Sequence, residues 1–344
     1  MKILLYTTNL LGGGAQKITV NLANYYHKIN HDVYVLASNT NGPFYSDINP
    51  KINIIDLKHD NSRKSLLRIS REINKINPDF IISNMRISNI ILGIALYLCK
   101  KSTTKKIFLE ANTLTSLKEA SFLKKIFYKF FINISYINSS LVIANSNDTM
   151  NDLKKILFIN KNIKVLGNPV IDKDFNFFKI NNNFFLKNKE SKFIISAGSF
   201  DKQKNFFLLY NTFKNLIQKK NVKLVILGDG PDRKKILKQA KIDNLDQHIY
   251  LPGFVSNPMN YFVLCDVFVL TSLWEGFGNV LVESLFAETP LISLNCPGGP
   301  KDIIGKNKFG ILIDKPNVEL FSHEILKVLA NEYQFKDLKK RALD

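Results

Sequence analysis

The sequence predicts an α/β chain made of two doubly wound, parallel-sheet domains, on three observations. Short apolar runs of strand length alternate with amphipathic segments of helical spacing from Lys2 to Asn331. The alternating series runs twice, interrupted by an Asn-, Lys- and Phe-rich stretch of no clear period between Asp172 and Ser191. The length of 344 residues suits two domains of roughly 150 residues each. The expected boundaries are 1–172 for the first domain, 173–191 for a linker and 192–344 for the second.

In the first series, Lys2–Tyr6 is an apolar strand and Leu10–Gly14 a glycine-rich loop. Ala15–Lys28 brings Ile18, Leu22 and Tyr25 or Tyr26 onto one helical face. Asp32–Ala37 is the next strand, Ser62–Asn77 a helix closed by Pro78, and Phe80–Ser83 a strand. Thr104–Leu109 and Leu141–Ala144 are buried strands, and a helix follows over Asp148–Leu157. Gly167-Asn168-Pro169-Val170 closes the series. In the second, Phe193–Ala197 and Lys223–Leu227 are strands, each followed by a helix, Asn205–Lys219 and Asp232–Lys241. Val267–Thr271 is a strand that feeds the stretch Trp274–Pro290. The strand from Pro290, then Gly310–Ile313 and the helix Val318–Asn331, complete it.

Composition narrows the function. Cys99, Cys265 and Cys296 are far apart, lack paired metal spacing and read as buried thiols of a reducing compartment. The opening MKILLYTTNLL reads as a core strand rather than a signal peptide, and the apolar segment Ile90–Cys99 is too short to span a bilayer. A cytoplasmic protein is expected. Lys and Arg number 48 against 29 Asp and Glu, a net charge of +19 that favours anionic partners: nucleic acid, an anionic membrane surface or phosphorylated substrates. The joint excess of Lys, Asn, Ile and Phe accounts for the charge equally well as compositional drift. The basic residues are scattered and no nucleic-acid recognition module is present, so no specific nucleic-acid partner is expected.

One basic stretch differs in kind. Over Leu117–Asn138, Lys118, Lys124, Lys125 and Lys129 interleave with Phe122, Ile126, Phe127, Phe130 and Phe131. This pattern suits a helix lying in an anionic membrane interface, and also a core-facing helix with solvated lysines.

The most informative stretch is WEGFGNVLVESLFAETP. Glu275 and Glu283 stand about two helical turns apart, but Gly276 and Gly278 make the first part irregular. Glu275 therefore reads as a loop residue and Asn279 as the N-cap of a helix over Val280–Ala287. The N–H groups of Phe277, Gly278 and Asn279 then face out of a helix N-terminus, a seat for phosphate. Carboxylates beside it suit sugar or ribose hydroxyls. Together they describe a nucleotide sugar; a surface loop with dipole-complementing glutamates fits the spacing as well. The loop Gly12-Gly13-Gly14 lacks dinucleotide spacing, and the second strand ends without an acidic residue, which argues against NAD; the loop suits a ligand diphosphate, or a tight turn. Glu110, Asn112 and Ser146 follow strand ends, where open α/β sheets bind ligands, and are candidate acceptor contacts; Ser146 serves equally as a helix cap.

Glu275-Gly-Phe-Gly and Glu283, followed by Ala287 and Thr289-Pro290, resemble the E-x7-E signature of glycosyltransferase family 4, the retaining GT-B group. The resemblance implies the GT-B arrangement, two Rossmann-like domains facing a central cleft. It implies that Glu275 contacts the donor sugar and Glu283 the ribose hydroxyls. Gly198-Ser199-Phe200 to Lys204-Asn205 is similar to the family loop G-R-L-x-x-x-K-N, whose Arg and Lys neutralise the donor diphosphate. Lys204 matches, whereas Ser199 replaces the Arg and loses a bidentate cation. Gly12–Lys17 resembles the family's GG-AE loop with Gln16 for Glu, and Leu251-Pro-Gly253-Phe254 the segment framing the nucleobase. Cys296–Lys301 resembles the loop before the family's acidic helix start, here Asp302. The implied catalytic residues are Glu275 and Lys204. The implied donor site comprises Gly13, Gly14, Gly198, Ser199, Lys204, Gly253, Phe254, Phe277, Gly278, Asn279 and Glu283.

By resemblance the donor is a UDP-sugar and the acceptor a lipid-linked or polysaccharide glycan of the cell envelope. No cofactor or metal is implied, and work at the cytoplasmic membrane face is expected. Two further features depart from the family: no histidine stands near Glu110, and the usual last helix crossing back to the first domain is not found after Lys339. A sugar-nucleotide epimerase of the same fold, or a non-catalytic anion- or nucleic-acid-binding protein, are the alternatives.

Overall fold

The computed structural model describes all residues except Gly12, 59–61, 101–102, 114–120 and 159–161, and the side chains of 62–64, 122 and 124 are likewise not described. The chain divides into two compact units, Met1–Val170 and Ile171–Asp344.

In the first unit, β1 (Lys2–Thr7), α1 (Gly14–Lys28), β2 (Asp32–Ala37) and β3 (Asn53–Asp56) are followed by α2 (Ser62–Ile76), β4 (Phe80–Asn84) and α3 (Arg86–Ala95). Then come β5 (Lys105–Glu110), α4 (Phe122–Ile137), β6 (Leu141–Ala144), α5 (Asn147–Ile156) and β7 (Ile163–Val165). Among the described residues the sheet has seven parallel strands in the order β3-β2-β1-β4-β5-β6-β7. The strand order reverses between β1 and β4. Loops leaving those two strands diverge, which opens a crevice at the carboxyl edge of the sheet. Leu4, Tyr6, Ile81, Phe108 and Val142 form one buried layer, and Ile3, Leu5, Val35 and Ile82 the other. A sheet buried on both faces explains why its central strands are continuous apolar runs.

The second unit repeats the plan. It opens with α6 (Asn183–Lys187), β8 (Lys192–Ala197), α7 (Phe206–Leu216), β9 (Val222–Leu227), α8 (Arg233–Ile242) and β10 (Ile249–Gly253). It continues through α9 (Met259–Phe262), β11 (Val267–Leu270), α10 (Asn279–Phe286) and β12 (Leu291–Leu294). It closes with α11 (Pro300–Ile304), β13 (Ile311–Ile313), α12 (Val318–Leu329) and α13 (Leu338–Leu343). Six parallel strands run in the order β10-β9-β8-β11-β12-β13, so the reversal lies between β8 and β11.

Two expectations need correction. The 173–191 stretch is not a free linker: it carries α6 and packs on the second unit. Phe177 stacks on Phe286 with ring centroids 5.8 Å apart, and Phe184 stacks on Tyr250 at 5.2 Å. Burial of aromatic rings outweighs the absence of any period in that sequence. Helix α10 begins one residue earlier than expected. Gly278, in the left-handed region at φ 96°, takes the capping position, and Asn279 is the first helical residue. The apolar segment Ile90–Cys99 covers the end of α3 and a 3-10 turn over Leu96–Leu98, and among the described residues no helix is long and apolar enough to cross a membrane.

The last helix is held within the second unit. Arg341 donates from Nε and Nη2 to the Ile303 and Asp302 carbonyls at 3.1 and 2.6 Å. Lys339 places its ammonium over the Phe286 ring, 5.0 Å from the centroid.

Candidate functional site

Two loops leave the adjacent strands β8 and β11 at the reversal of the second sheet, and they are stitched together. Gln203 donates from its amide to the Trp274 carbonyl at 2.8 Å, and the Leu273 N–H donates to the Gln203 carbonyl at 2.8 Å. The Thr271 hydroxyl donates to the Lys204 carbonyl at 2.9 Å. These bonds bring Lys204 Nζ to 2.6 Å from Glu275 Oε1, an ion pair joining residues 71 positions apart. Both side chains are largely buried, at 13% and 7% exposure. Gly198 makes room for this lysine: a Cβ there would lie 2.8 Å from Lys204 Cε. Such a pair costs desolvation, and taking away one partner strands the other charge.

A third loop supports Glu275 from β12. The Glu275 N–H donates to the Pro297 carbonyl at 2.9 Å, and the Gly299 N–H to the Gly276 carbonyl at 3.1 Å. Gly298 and Gly299 are obligatory here: a Cβ on the first would collide with the Glu275 carbonyl, and on the second with the Phe277 carbonyl. Among the described residues, the Phe277 and Gly278 N–H groups have no hydrogen-bond acceptor, at the N-terminus of α10. Glu283 is half-buried within the same helix, two turns along from Glu275.

The other expected donor residues fall around this centre. Ser199 is exposed, and its hydroxyl donates to Asp201 Oδ2 at 2.5 Å. It therefore brings a carboxylate, rather than a cation, into that corner. The Gly253 carbonyl accepts from the Gly228 N–H at 2.7 Å. Gly253 has φ 93° and no atom near its Cβ direction, and Phe254 beside it is about half exposed.

The carboxyl edge of the first sheet has its own arrangement. Asn9 Oδ1 accepts from the Leu11 N–H at 3.2 Å and from Gln16 Nε2 at 3.1 Å. A Cβ on Gly13 would approach Gln16 Oε1 to 2.6 Å, and Gly14 opens α1; Gly12 lies outside the described residues. Asn84 donates to the Ala15 carbonyl at 2.8 Å, joining the β1 and β4 loops. Glu110 does not present itself at this edge as expected. Its side chain is fully buried, 3.1 Å from Arg86 Nη2, and accepts from the Tyr136 hydroxyl at 2.7 Å. The pleat explains this, because Glu110 shares a strand face with the buried Phe108. That alternation is the sequence signal for its burial, whereas Arg86, Asn89 and Tyr136 carry no motif that marks them as its partners. Burial and the neighbouring carboxylate push the Tyr136 hydroxyl well above its ordinary pKa. Asn112 is exposed at the same edge. Ser146 caps α5, accepting from the Thr149 N–H at 3.2 Å, so its oxygen is committed to the helix.

Two family models tile the chain. Residues 177–344 match the glycosyl transferases group 1 model, and residues 12–173 the glycosyltransferase family 4 model. The chain belongs to the group 1 glycosyltransferases. A Campylobacter jejuni relative, the N-acetylgalactosamine-N,N'-diacetylbacillosaminyl-diphospho-undecaprenol 4-alpha-N-acetylgalactosaminyltransferase, is 33% identical over 215 residues. That alignment covers 62% of this chain and 57% of the relative, so the chain spans less than two thirds of that relative's length. A second C. jejuni protein is an alpha-1,4-N-acetyl-D-galactosaminyltransferase named for a diNAcBac-PP-undecaprenol glycan. It is 25% identical, with 99% of this chain and 92% of the relative covered. Anabaena HepE, solved with UDP-glucose, superposes with a TM-score of 0.81 at 16% identity, covering 99% of this chain and 93% of that one. The likeness fixes the fold of this group 1 glycosyltransferase as GT-B.

Proposed function

We propose that the chain is a retaining glycosyltransferase that moves a hexose or N-acetylhexosamine from a UDP-sugar to a lipid-linked or polysaccharide acceptor in cell-envelope glycan synthesis. The observation that carries this reading is the Lys204–Glu275 pair beside the unbonded amides at the start of α10. An arriving diphosphate takes Lys204 and the Phe277 and Gly278 amides, and Glu275 is released to bind sugar hydroxyls. These fixed dipoles and the lysine stabilise the charge that develops as the glycosidic bond breaks. The acceptor hydroxyl attacks on the face the phosphate leaves, and a leaving phosphate oxygen takes its proton. Glu283 accepts from the ribose hydroxyls. No metal enters this scheme. The sequence has one Asp-x-Asp spacing, Asp172-Lys173-Asp174, and there Asp172 accepts from the Asp174 N–H at 3.0 Å. The undecaprenol-linked glycans in the names of the Campylobacter relatives support a lipid-linked acceptor, and UDP is the nucleotide of the HepE complex.

Thermal unfolding with UDP, GDP, ADP and TDP, with and without magnesium, tests the donor. UDP alone is expected to raise stability, by about 2.7 kcal/mol at one hundred times its dissociation constant, independent of magnesium. Glu283→Ala is expected to weaken UDP roughly 10- to 100-fold by removing a charged acceptor. Wild-type protein that no nucleotide stabilises would refute the reading.

The membrane part of the proposal rests on α4. Leu123, Ile126, Phe127 and Phe130, at positions i, i+3, i+4 and i+7, are each more than half exposed, while Ile132 and Tyr136 are buried. Leu117–Ala120 lie outside the described residues. The exposed stripe, flanked by Lys125 and Lys129, suits an anionic leaflet, where each lysine contributes about 1 kcal/mol. Co-flotation with phosphatidylglycerol vesicles is expected for the wild type and not for Phe127→Asp/Phe130→Asp. Equal flotation of both would remove α4 from the proposal.

A further inference from the structure

A buried polar network at the carboxyl edge of the first sheet shares no residue with the donor site proposed above. Arg86 Nη2 donates to the Asn112 carbonyl at 2.7 Å and lies 3.1 Å from Glu110 Oε1. Tyr136 donates to the other carboxylate oxygen at 2.7 Å, and Asn89 Nδ2 donates to the Tyr136 hydroxyl at 3.0 Å and to the Leu109 carbonyl at 2.9 Å. Arg86 and Asn89 share a face in the first turn of α3, and Tyr136 comes from α4. The network therefore ties two helices to the end of β5.

Three unfavourable features meet at Arg86. The guanidinium is buried, with 8% of the residue exposed. It stands at the positive end of a helix dipole. The preceding Met85 holds φ at 80°, a strained value for a residue with a side chain. Apolar residues of similar volume in place of such a pair are often neutral or stabilising, so stability does not account for it. What the arginine supplies is a charged Nη2 that pairs with the Glu110 carboxylate and donates to the carbonyl of Asn112, in the chain leaving β5.

We infer that Arg86 is a positioning residue for the acceptor: held by Glu110 and Tyr136, it clamps the Asn112 carbonyl and fixes the 111–113 segment that the acceptor meets. This rests on the proposed reading, in which the carboxyl edge of the first sheet receives the acceptor. Because Tyr136 belongs to α4, the clamp also keeps that segment in register with the helix proposed to face the membrane.

The test compares wild type, Arg86→Gln and Arg86→Lys, using UDP-N-acetylgalactosamine and a polyprenyl-diphosphate-linked N-acetylhexosamine as probes. Arg86→Gln is expected to lower kcat/KM for the acceptor roughly 100-fold, the scale of a displacement of about 1 Å, with the KM for the UDP-sugar at its wild-type value. Arg86→Lys recovers part of the loss, because the shorter ammonium keeps a positive charge beside Glu110 but reaches the Asn112 carbonyl less well. Amide exchange over 110–113 quickens in Arg86→Gln. Tyr136→Phe keeps the ring and loses only the hydroxyl; it shows a smaller effect of the same kind and serves if Arg86→Gln does not fold. Acceptor kinetics equal to wild type, or parallel losses in acceptor and donor parameters, would overturn the inference. A wild type that binds no UDP sinks the functional reading instead, and unchanged exchange in Arg86→Gln then overturns the clamp by itself.

Discussion

Lys204→Ala is expected to lower sugar transfer roughly 1,000-fold, the scale of losing a charged group aimed at a leaving oxyanion. It is also expected to weaken UDP binding, and by more than the loss of one phosphate contact. The ion pair at 2.6 Å is the reason. Without its lysine, Glu275 becomes a buried, uncompensated carboxylate next to an incoming diphosphate, and like charges repel in that setting. Lys204→Ala/Glu275→Gln is therefore expected to bind UDP more tightly than Lys204→Ala, while transferring no sugar above the single variant's rate. Calorimetry of UDP binding to the wild type, both single variants and the double variant completes the cycle. Additive losses would show that the lysine and the glutamate act independently.

Gly298→Ala is expected to cost about 3–5 kcal/mol of stability, by overpacking backbone against backbone. Its φ of 123° lies where side chains are rarely tolerated, and the added Cβ would meet the Glu275 carbonyl rather than a movable side chain. Relief requires the Trp274–Phe277 loop to shift, so surviving protein should lose transfer with it. Denaturant unfolding measures the first effect, and transfer by the folded fraction the second. An alanine variant within 1 kcal/mol of wild type would mean that the loops from β11 and β12 part easily, at a level below the usual cost of such strain.

The sequence makes the centre of each sheet legible and its margins obscure. Strands β1, β2, β8 and β9 are buried apolar runs, which a strand reading detects directly. Strand β3 lies at an edge, is only partly buried and mixes Asn and Asp with two isoleucines, so it has no comparable signature. At α10, Gly278 and Asn279 both suit a helix start, and the choice between them depends on a left-handed φ that composition does not encode. In the site, Lys204 and Glu275 are each visible as motif residues. Their contact is not, because it follows from β8 and β11 being neighbours in the sheet order. Glu110 shows the opposite case. Its place at a strand end suggested exposure, while its two-residue spacing from Phe108 pointed inward, and the pleat prevailed.

Helix α10 carries Glu283 and is braced by both ends of the second unit's chain. Phe177, from the unit's beginning, stacks on Phe286, and Lys339, from its end, lies over the same ring. Local fraying of α10 thus requires two sequence-distant segments to detach together. That couples opening of the nucleotide helix to unfolding of the whole unit, rather than to a low-energy excursion of its own. The donor shelf is in this sense a cooperative element: the hydrogen-bonded amides of α10 beyond its first turn should exchange with solvent only as fast as the unit denatures, and motions that admit and release substrate must be carried by the loops around it.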